Sequence, residues 1–449
     1  MTANIEQIDP HTLVVDPNIR TSAPLDKGFI DSIAANGVLT PILAWRDDTG
    51  AVRVRAGQRR TLGAREAGVA TVPVFIVDGE ADETQRIIEQ IVENDQREGL
   101  TDADRIQAWR ALELEGVSAT AIAKRTGAKR DRIKTGLTVA ANDTSAAAVA
   151  EFGLTLDQAA ALIEFEDDPE LVDALTREAI ESPDYFPVAV QRAHNDRARA
   201  ALREKVEAEE ASKGHRILDD RPGWNQTPYA LRDLTTADGG NVEADSIQGK
   251  EGVAVYVAIY GNDDAHPIYY VDEPATLGLT VREGVTASAP QAGPMTEDQK
   301  AARKVLIANN KEWDAAESVR RDWLAALLAR KTAPKDAQAV IAAALTNARW
   351  KVADGLTHGT AIAASLLGIA NTYSGPGLTE YLNAHPNRAV QVTLAMILGG
   401  IEHGTGRDTW RNPREDTAWY FQTLAAWGYP LCPVEKIAAM IADDTTTDE

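Results

Sequence analysis

Gly127 stands between two short amphipathic stretches, and this limits what residues 119–137 can form. Ser118-Ala119-Thr120-Ala121-Ile122-Ala123-Lys124-Arg125-Thr126 reads as a helix that the glycine closes, because glycine enters the left-handed conformation without steric cost. Ala128-Lys129-Arg130-Asp131-Arg132-Ile133-Lys134 reads as the start of a second helix. Ala123 is small enough for a close helix crossing, and Ile133 and Leu137 are placed to pin the second helix to the first. Two helices joined by so short a glycine turn are the signature of a helix-turn-helix.

Charge gives that unit a direction. The 449-residue chain holds 46 Lys and Arg against 68 Asp and Glu, a net charge of −22, which read globally counts against nucleic acid as a partner. Between Thr120 and Lys134 the balance reverses: Lys124, Arg125, Lys129, Arg130, Arg132 and Lys134 face the single anion Asp131, so six minus one leaves +5. A local excess of cations is what a duplex requires. Lys129, Arg130 and Arg132 lie near the start of the second helix, where base edges are reached, and Lys124, Arg125 and Lys134 suit phosphates. The competing reading is a helical hairpin with a solvated basic face.

Around this unit the periodicity divides the chain into four parts. Residues 1–100 alternate strands, expected at 12–15, 41–45, 51–55 and 72–77, with helices expected at 25–36, 59–67 and 83–93. Residues 101–200 read as all helical, opening at Thr101 with an acid three residues on, as in a capping box. Residues 196–213 are so charged that they suggest a solvated helix or linker. Residues 201–295 add a small β-containing insert around 253–260 and 267–271, and residues 296–449 are helical again, with an amphipathic stretch at 311–331. The single cysteine, Cys432, rules out a disulfide within one chain and a cysteine-rich zinc site. The seven histidines show no metal-ligand spacing, so no metal cage built by the protein alone is expected. With neither a signal peptide nor an apolar run long enough to span a bilayer, a cytoplasmic location is expected.

A second chemical signal lies at Val54-Arg55-Ala56-Gly57-Gln58-Arg59-Arg60, which follows a strand and opens a helix. A helix N-terminus presents unpaired N–H groups and partial positive charge, and arginine forks suit phosphate oxygens. Gly57 with Arg59 and Arg60 can therefore cradle phosphates; alternatively both arginines are solvated or paired to acids. Farther on, Glu93 and Asn94 offer hard oxygen donors to a magnesium ion, or simply a cap and a surface charge.

These segments together resemble a known family. Gly57-Gln58-Arg59-Arg60, followed by Ala64 and Ala67-Gly68, resembles the G-E-R-R box of ParB partition proteins. Val38-Leu39-Thr40-Pro41-Ile42 resembles the family segment that usually reads L-Q-P-I, and Glu93-Asn94-Asp95-Gln96-Arg97-Glu98 resembles its E-N-L-Q-R-E box. The boxes and the helix-turn-helix occur in family order over about residues 5–165. The resemblance implies an α+β ParB/sulfiredoxin-like N-terminal domain, then an all-α helix-turn-helix domain, with the small β-containing insert and an all-α C-terminal domain behind them.

The resemblance also implies a sequence-specific, CTP-dependent clamp on double-stranded DNA, acting in plasmid, phage or chromosome segregation and located on the nucleoid. Thr40, Pro41 and Ile42 would line the nucleotide pocket, Gly57, Gln58, Arg59 and Arg60 would meet its phosphates, and Glu93 and Asn94 would serve Mg and nucleotide. A homodimer formed through the C-terminal helices and a ParA-type ATPase partner would follow. Gln58 stands where the family usually has glutamate, which leaves CTP hydrolysis more open than CTP binding; Asp95 replaces an apolar residue; and the basic leader that engages ParA is missing from the N-terminus. A ParB-like transcriptional regulator and a ParB-like nuclease are the alternatives, the latter short of a carboxylate cluster. No catalytic residue is expected. Arg320-Arg321 beside Trp323 reads as part of a packed helix rather than a DNA contact, Trp350, Trp410, Trp419 and Trp427 as core or interface, and His358 and His403 as loop markers.

Overall fold

The computed structural model describes residues 4–15, 25, 27–77, 87, 88, 91, 100–223, 227–261, 264–282, 296–358, 360–369 and 376–441. The chain divides into two compact units, Met1–Glu181 and Ser182–Glu449.

The first unit begins with a mixed four-stranded sheet. Strands β1 (Asn4–Ile8), β2 (Ile42–Arg46), β3 (Val52–Ala56) and β4 (Val72–Val77) lie in the order β1-β4-β2-β3. β4 is antiparallel to β1 and parallel to β2, and β2 is antiparallel to β3. Alternation decides which face is covered: Ile42 and Ala44, Val52 and Val54, and Val72 and Val74 are buried while their neighbours are partly exposed. Helices α1 (Lys27–Asn36) and α2 (Gln58–Glu66) contribute Ile33 and Ala64 to the same core. Each large aliphatic side chain removed from water there is worth about 1.5–3 kcal/mol. Gly63 lets the helices meet, since a Cβ at that position would lie 2.8 Å from Phe29 and Ile33.

Two expectations for this region are corrected. β1 was not foreseen, because Asn4-Ile5-Glu6-Gln7-Ile8 is a polar edge strand with Ile5 exposed. Residues 12–15 form no strand; they contribute one isolated bridge, Val14 to Arg53. A turn at Asp9 bends the chain just before them, with His11 N donating to Asp9 Oδ1 at 2.9 Å and Thr12 N to Asp9 O at 3.0 Å. Arg65 of α2 then satisfies the loop by donating to Pro10 O and Leu13 O. The helix expected at 83–93 lies largely outside the described residues.

The remainder of the first unit is helical: α3 (Asp102–Leu114), α4 (Ala119–Thr126), α5 (Arg130–Ala141), α6 (Asp143–Phe152), α7 (Leu156–Ile163) and α8 (Pro169–Glu181). Thr101 and Asp104 form the expected capping box on α3. A second core unites Trp109, Leu112, Ile122, Ile133, Val139 and Val149.

The second unit opens with α9 (Phe186–Ser212), one continuous 27-residue helix. Its charged half is less solvated than expected. Glu210 is buried, and it accepts from His215 Nδ1 at 2.9 Å and Lys213 Nζ at 2.7 Å. Burial pushes the Glu210 carboxyl up, but the bonds from Lys213 and His215 outweigh it and hold it below its ordinary value. A four-stranded sheet follows, built from β5 (Arg216–Ile217), β6 (Tyr229–Ala230), β8 (Val253–Tyr260) and β9 (Asp264–Val271) in the order β5-β8-β9-β6. A two-stranded sheet pairs β7 (Leu234–Thr236) with β10 (Leu279–Val281).

The rest of the unit is a helical bundle: α10 (Glu297–Ala329), α11 (Ala337–Asn347), α12 (Arg349–His358), α13 (Thr360–Leu366), α14 (Pro376–Ala384), α15 (Ala389–His403), α16 (Arg407–Arg411), α17 (Glu415–Ala426) and α18 (Pro433–Ala438). Trp313, Leu324, Leu398, Ile401, Tyr420 and Phe421 share its core. Arg320 is fully buried. It donates through Nε and Nη2 to Glu402 at 2.6 and 3.1 Å, and through Nη1 to Glu435 at 2.6 Å, which accounts for it as a packed residue of α10. Burial raises both carboxyls, yet the two-pronged Arg320 contact brings Glu402 below its ordinary value while Glu435 stays above. Trp410, Trp419 and Trp427 pack against this core; of the two places expected for Trp350, core or interface, its 76% exposure excludes the core.

Candidate nucleotide and nucleic-acid interface

The phosphate-loop segment takes the form its residues dictate. β3 ends at Ala56, Gly57 turns the chain at φ +101°, and α2 starts at Gln58. No side chain caps this helix, so its first N–H groups are not claimed by a capping oxygen. Arg60 does not simply extend outward. Its Nη1 donates to Thr40 O at 2.6 Å and Pro41 O at 2.8 Å, which ties the helix start to the turn before β2. The φ of Gly57 is one that L side chains rarely adopt, and a Cβ there would also crowd Arg60 Nη2 at 3.1 Å. Arg59 lies over the Phe29 ring at 4.6 Å. Thr40, Pro41, Gly57, Gln58, Arg59 and Arg60 are thereby brought to one place. Ile42, also expected in the nucleotide pocket, has no exposed surface and belongs to the sheet core. Glu93 and Asn94, the expected Mg residues, lie outside the described residues.

The two helices around Gly127 also take shape. Ser118 caps α4 by accepting from Ala121 N, and Gly127 ends it at φ +77° with its N–H on Ala123 O. Lys129 is the residue before α5, and no side chain caps that helix either. Ile122 and Ile133 are fully buried between the helices. Gly136 admits Trp109 of α3, whose ring would stand 2.6 Å from an added Cβ. Gly127 itself is exposed, and Lys124, Arg125, Lys129, Arg130, Arg132 and Lys134 are all exposed. Among the described residues Lys129, Arg130 and Lys134 have no ion-pair partner. Arg132 differs: its Nη2 donates to Asp102 Oδ1 at 2.7 Å, the oxygen that Arg105 also approaches at 3.1 Å. A cavity of about 380 Å³ lies beside this pair, with Trp109, Ala128 and Lys129 in its wall.

The family profile described as the ParB N-terminal domain matches residues 3–95. Residues 3–95 are thus similar to a ParB N-terminal domain. It is 30% identical over 137 residues to the probable chromosome-partitioning protein ParB of Treponema pallidum, covering 30% of this chain and 42% of that protein. It is 32% identical over 147 residues to the chromosome-partitioning protein ParB of Myxococcus xanthus, covering 32% and 49%. The chain thus spans less than half the length of these relatives. Among solved structures, the C-terminally truncated ParB of Caulobacter crescentus complexed to the centromeric parS site is 24% identical, with 40% of this chain and 92% of that chain covered and a TM-score of 0.30.

Within residues 3–95, sequence reasoning found the strand, Gly57 turn and helix but not the use of Arg60 as a brace to Thr40 and Pro41. It also missed Asp102 and Arg105. Asp102 carried a signal, an acid in the first turn of a helix, but that signal speaks only of the helix start. Its role toward Arg132 depends on how α3 crosses α5. Among the described residues no helix is long and apolar enough to cross a membrane.

Proposed function

We propose that this chain is a sequence-specific DNA-binding protein of partition type that uses CTP as a ligand to hold double-stranded DNA. The observation that carries the reading is the exposed cation set of α4 and α5, with its single anion, in the same compact unit as the phosphate loop. Lys129 and Arg130 stand at the uncapped start of α5, where they can meet base edges. Lys124, Arg125 and Lys134 contact phosphates, and Arg132 joins Lys129 and Arg130 at the base edges when it leaves Asp102.

CTP sits with its phosphates at the N-terminus of α2, held by Gly57, Gln58 and Arg59 and by the Arg60 brace to Thr40 and Pro41. Glu93 and Asn94 supply oxygen donors to Mg bound with the nucleotide. The ParB family match over residues 3–95 supports this assignment, as does the partition role named for both relatives. Gln58, in place of a glutamate, favours nucleotide binding over turnover. The working form is a homodimer on nucleoid DNA with self-association through residues 296–449, and a ParA-type ATPase is its candidate partner.

Nucleotide-dependent DNA pulldown followed by genomic sequencing tests the proposal. CTP is expected to change occupancy around one enriched site. Arg60→Ala is expected to abolish CTP binding and leave site recognition largely intact; Arg130→Ala with Arg132→Ala is expected to remove the site, each good base contact being worth about 1–3 kcal/mol. Enrichment of no site, or unchanged CTP affinity in Arg60→Ala, overturns it.

A further inference from the structure

His358 and His403 lie 45 residues apart in the chain, yet the bundle of the second unit sets their rings 6.3 Å apart, inclined by only 29°. Asp354 stands with them. Its Oδ1 is 3.1 Å from His358 Nδ1, and its Oδ2 is 3.8 Å from His403 Nε2. One ligand atom from each of the three residues lies within 4.8 Å of the other two.

The scaffold beneath them leaves little room for this to vary. Asp354 and His358 are four residues apart on α12, so they share a face. α12 meets α15 backbone to backbone: a Cβ on Gly355 would lie 2.1 Å from Gly400 Cα. Gly399 packs closely against the next helix, α13, with an added Cβ 2.9 Å from Ala363 N. Val352 and Ile401 are buried on either side of the crossing. Asp354 adjoins Gly355, and His403 lies three residues beyond Gly400, so the glycine contact fixes the distance between the two ligand-bearing backbones. His403 is also the last residue of α15, where unpaired carbonyl groups favour positive charge. Lys351, one turn before Asp354, turns its Nζ to Thr417 Oγ1 at 2.5 Å and brings no charge toward the imidazoles.

We propose that Asp354, His358 and His403 form a binding site for a divalent transition-metal cation on the C-terminal bundle. Two imidazoles and one carboxylate suit Zn²⁺, Ni²⁺ or Cu²⁺ and disfavour Mg²⁺ and Ca²⁺, which prefer all-oxygen shells. Zinc bonds of about 2.0–2.1 Å require the donor atoms to draw together. The three side chains are exposed and able to make that movement while the glycine-packed backbones stay still. Three protein ligands leave a tetrahedral cation one position open to water or to a donor from another molecule. The site is built from residues of the second unit and does not depend on the assignment of nucleotide or DNA surfaces.

The test is calorimetric titration of the tag-free, full-length protein with ZnCl₂, with Co²⁺ as a spectroscopic probe of coordination. One high-affinity Zn²⁺ per chain is expected, undisturbed by millimolar Mg²⁺, with Co²⁺ giving visible bands of a site containing nitrogen donors. His358→Ala, His403→Ala and Asp354→Asn should each weaken binding beyond the roughly 100-fold that loss of a supporting contact costs. Their circular dichroism should match that of the parent, because all three side chains are exposed. Absence of Zn²⁺ binding overturns the proposal, and so does binding whose affinity and stoichiometry survive His358→Ala together with His403→Ala.

Discussion

Arg132 Nη2 and Asp102 Oδ1 are joined at 2.7 Å, so one of the cations expected to read DNA is held by a carboxylate of its own chain. The pair is half exposed on the arginine side, and such pairs add at most about 1 kcal/mol to stability. Its consequence falls on DNA. Asp102→Asn is expected to release Arg132, tighten DNA binding at low salt and steepen the slope of log affinity against log salt by about one unit. Fluorescence anisotropy over a salt series measures this, and unaltered affinity and slope would place Arg132 away from the duplex.

Gly57→Ala brings a side chain into a backbone at φ +101° and within 3.1 Å of Arg60 Nη2. The left-handed conformation costs a non-glycine residue about 1–2 kcal/mol. The guanidinium that it crowds is the one that holds Thr40 O and Pro41 O. CTP affinity is expected to fall at least about tenfold, equivalent to ~1.4 kcal/mol. Nucleotide-free DNA binding should be retained. A nucleotide titration and a DNA-binding assay on the same variant separate the two effects.

At Gly136 the obstacle is an indole. An added Cβ would sit 2.6 Å from Cε3 and Cζ3 of Trp109, a side chain with no room to retreat because it is 1% exposed. Gly136→Ala is expected to destabilise the first unit by about 1–3 kcal/mol in chemical denaturation. Combining it with Trp109→Phe should recover part of that loss beyond the sum of the single effects, as contacting residues do.

Removal of Arg320 strands two buried carboxylates. Arg320→Ala is expected to cost about 3–5 kcal/mol, since buried Glu435 loses the Arg320 guanidinium and buried Glu402 keeps only Arg321 Nε at 3.3 Å and the Tyr420 hydroxyl. Replacing all three by apolar residues of similar volume should restore most of the loss. Denaturant unfolding of the three proteins decides the matter; equal stability of Arg320→Ala and the parent would show that the network contributes nothing.

Local sequence determined much of this protein. Apolar runs marked the strands at 41–45 and 72–77, Thr101 and Asp104 marked a helix start, and Gly127 marked the turn between α4 and α5. These signals are legible because each is made by residues within a few positions of one another. The same holds for the ParB boxes and for the reversal of charge between Thr120 and Lys134. What tertiary structure alone decided involves residues far apart: Arg132 with Asp102, Arg60 with Thr40, Arg320 with Glu402 across 82 residues, and Asp354 with His403. Composition cannot announce such pairs, because a side chain's partner is set by which helices cross and at which residue their backbones touch. Gly355 against Gly400 shows this most directly: two unremarkable glycines in sequence, and in the folded bundle the contact that places Asp354 beside two histidines.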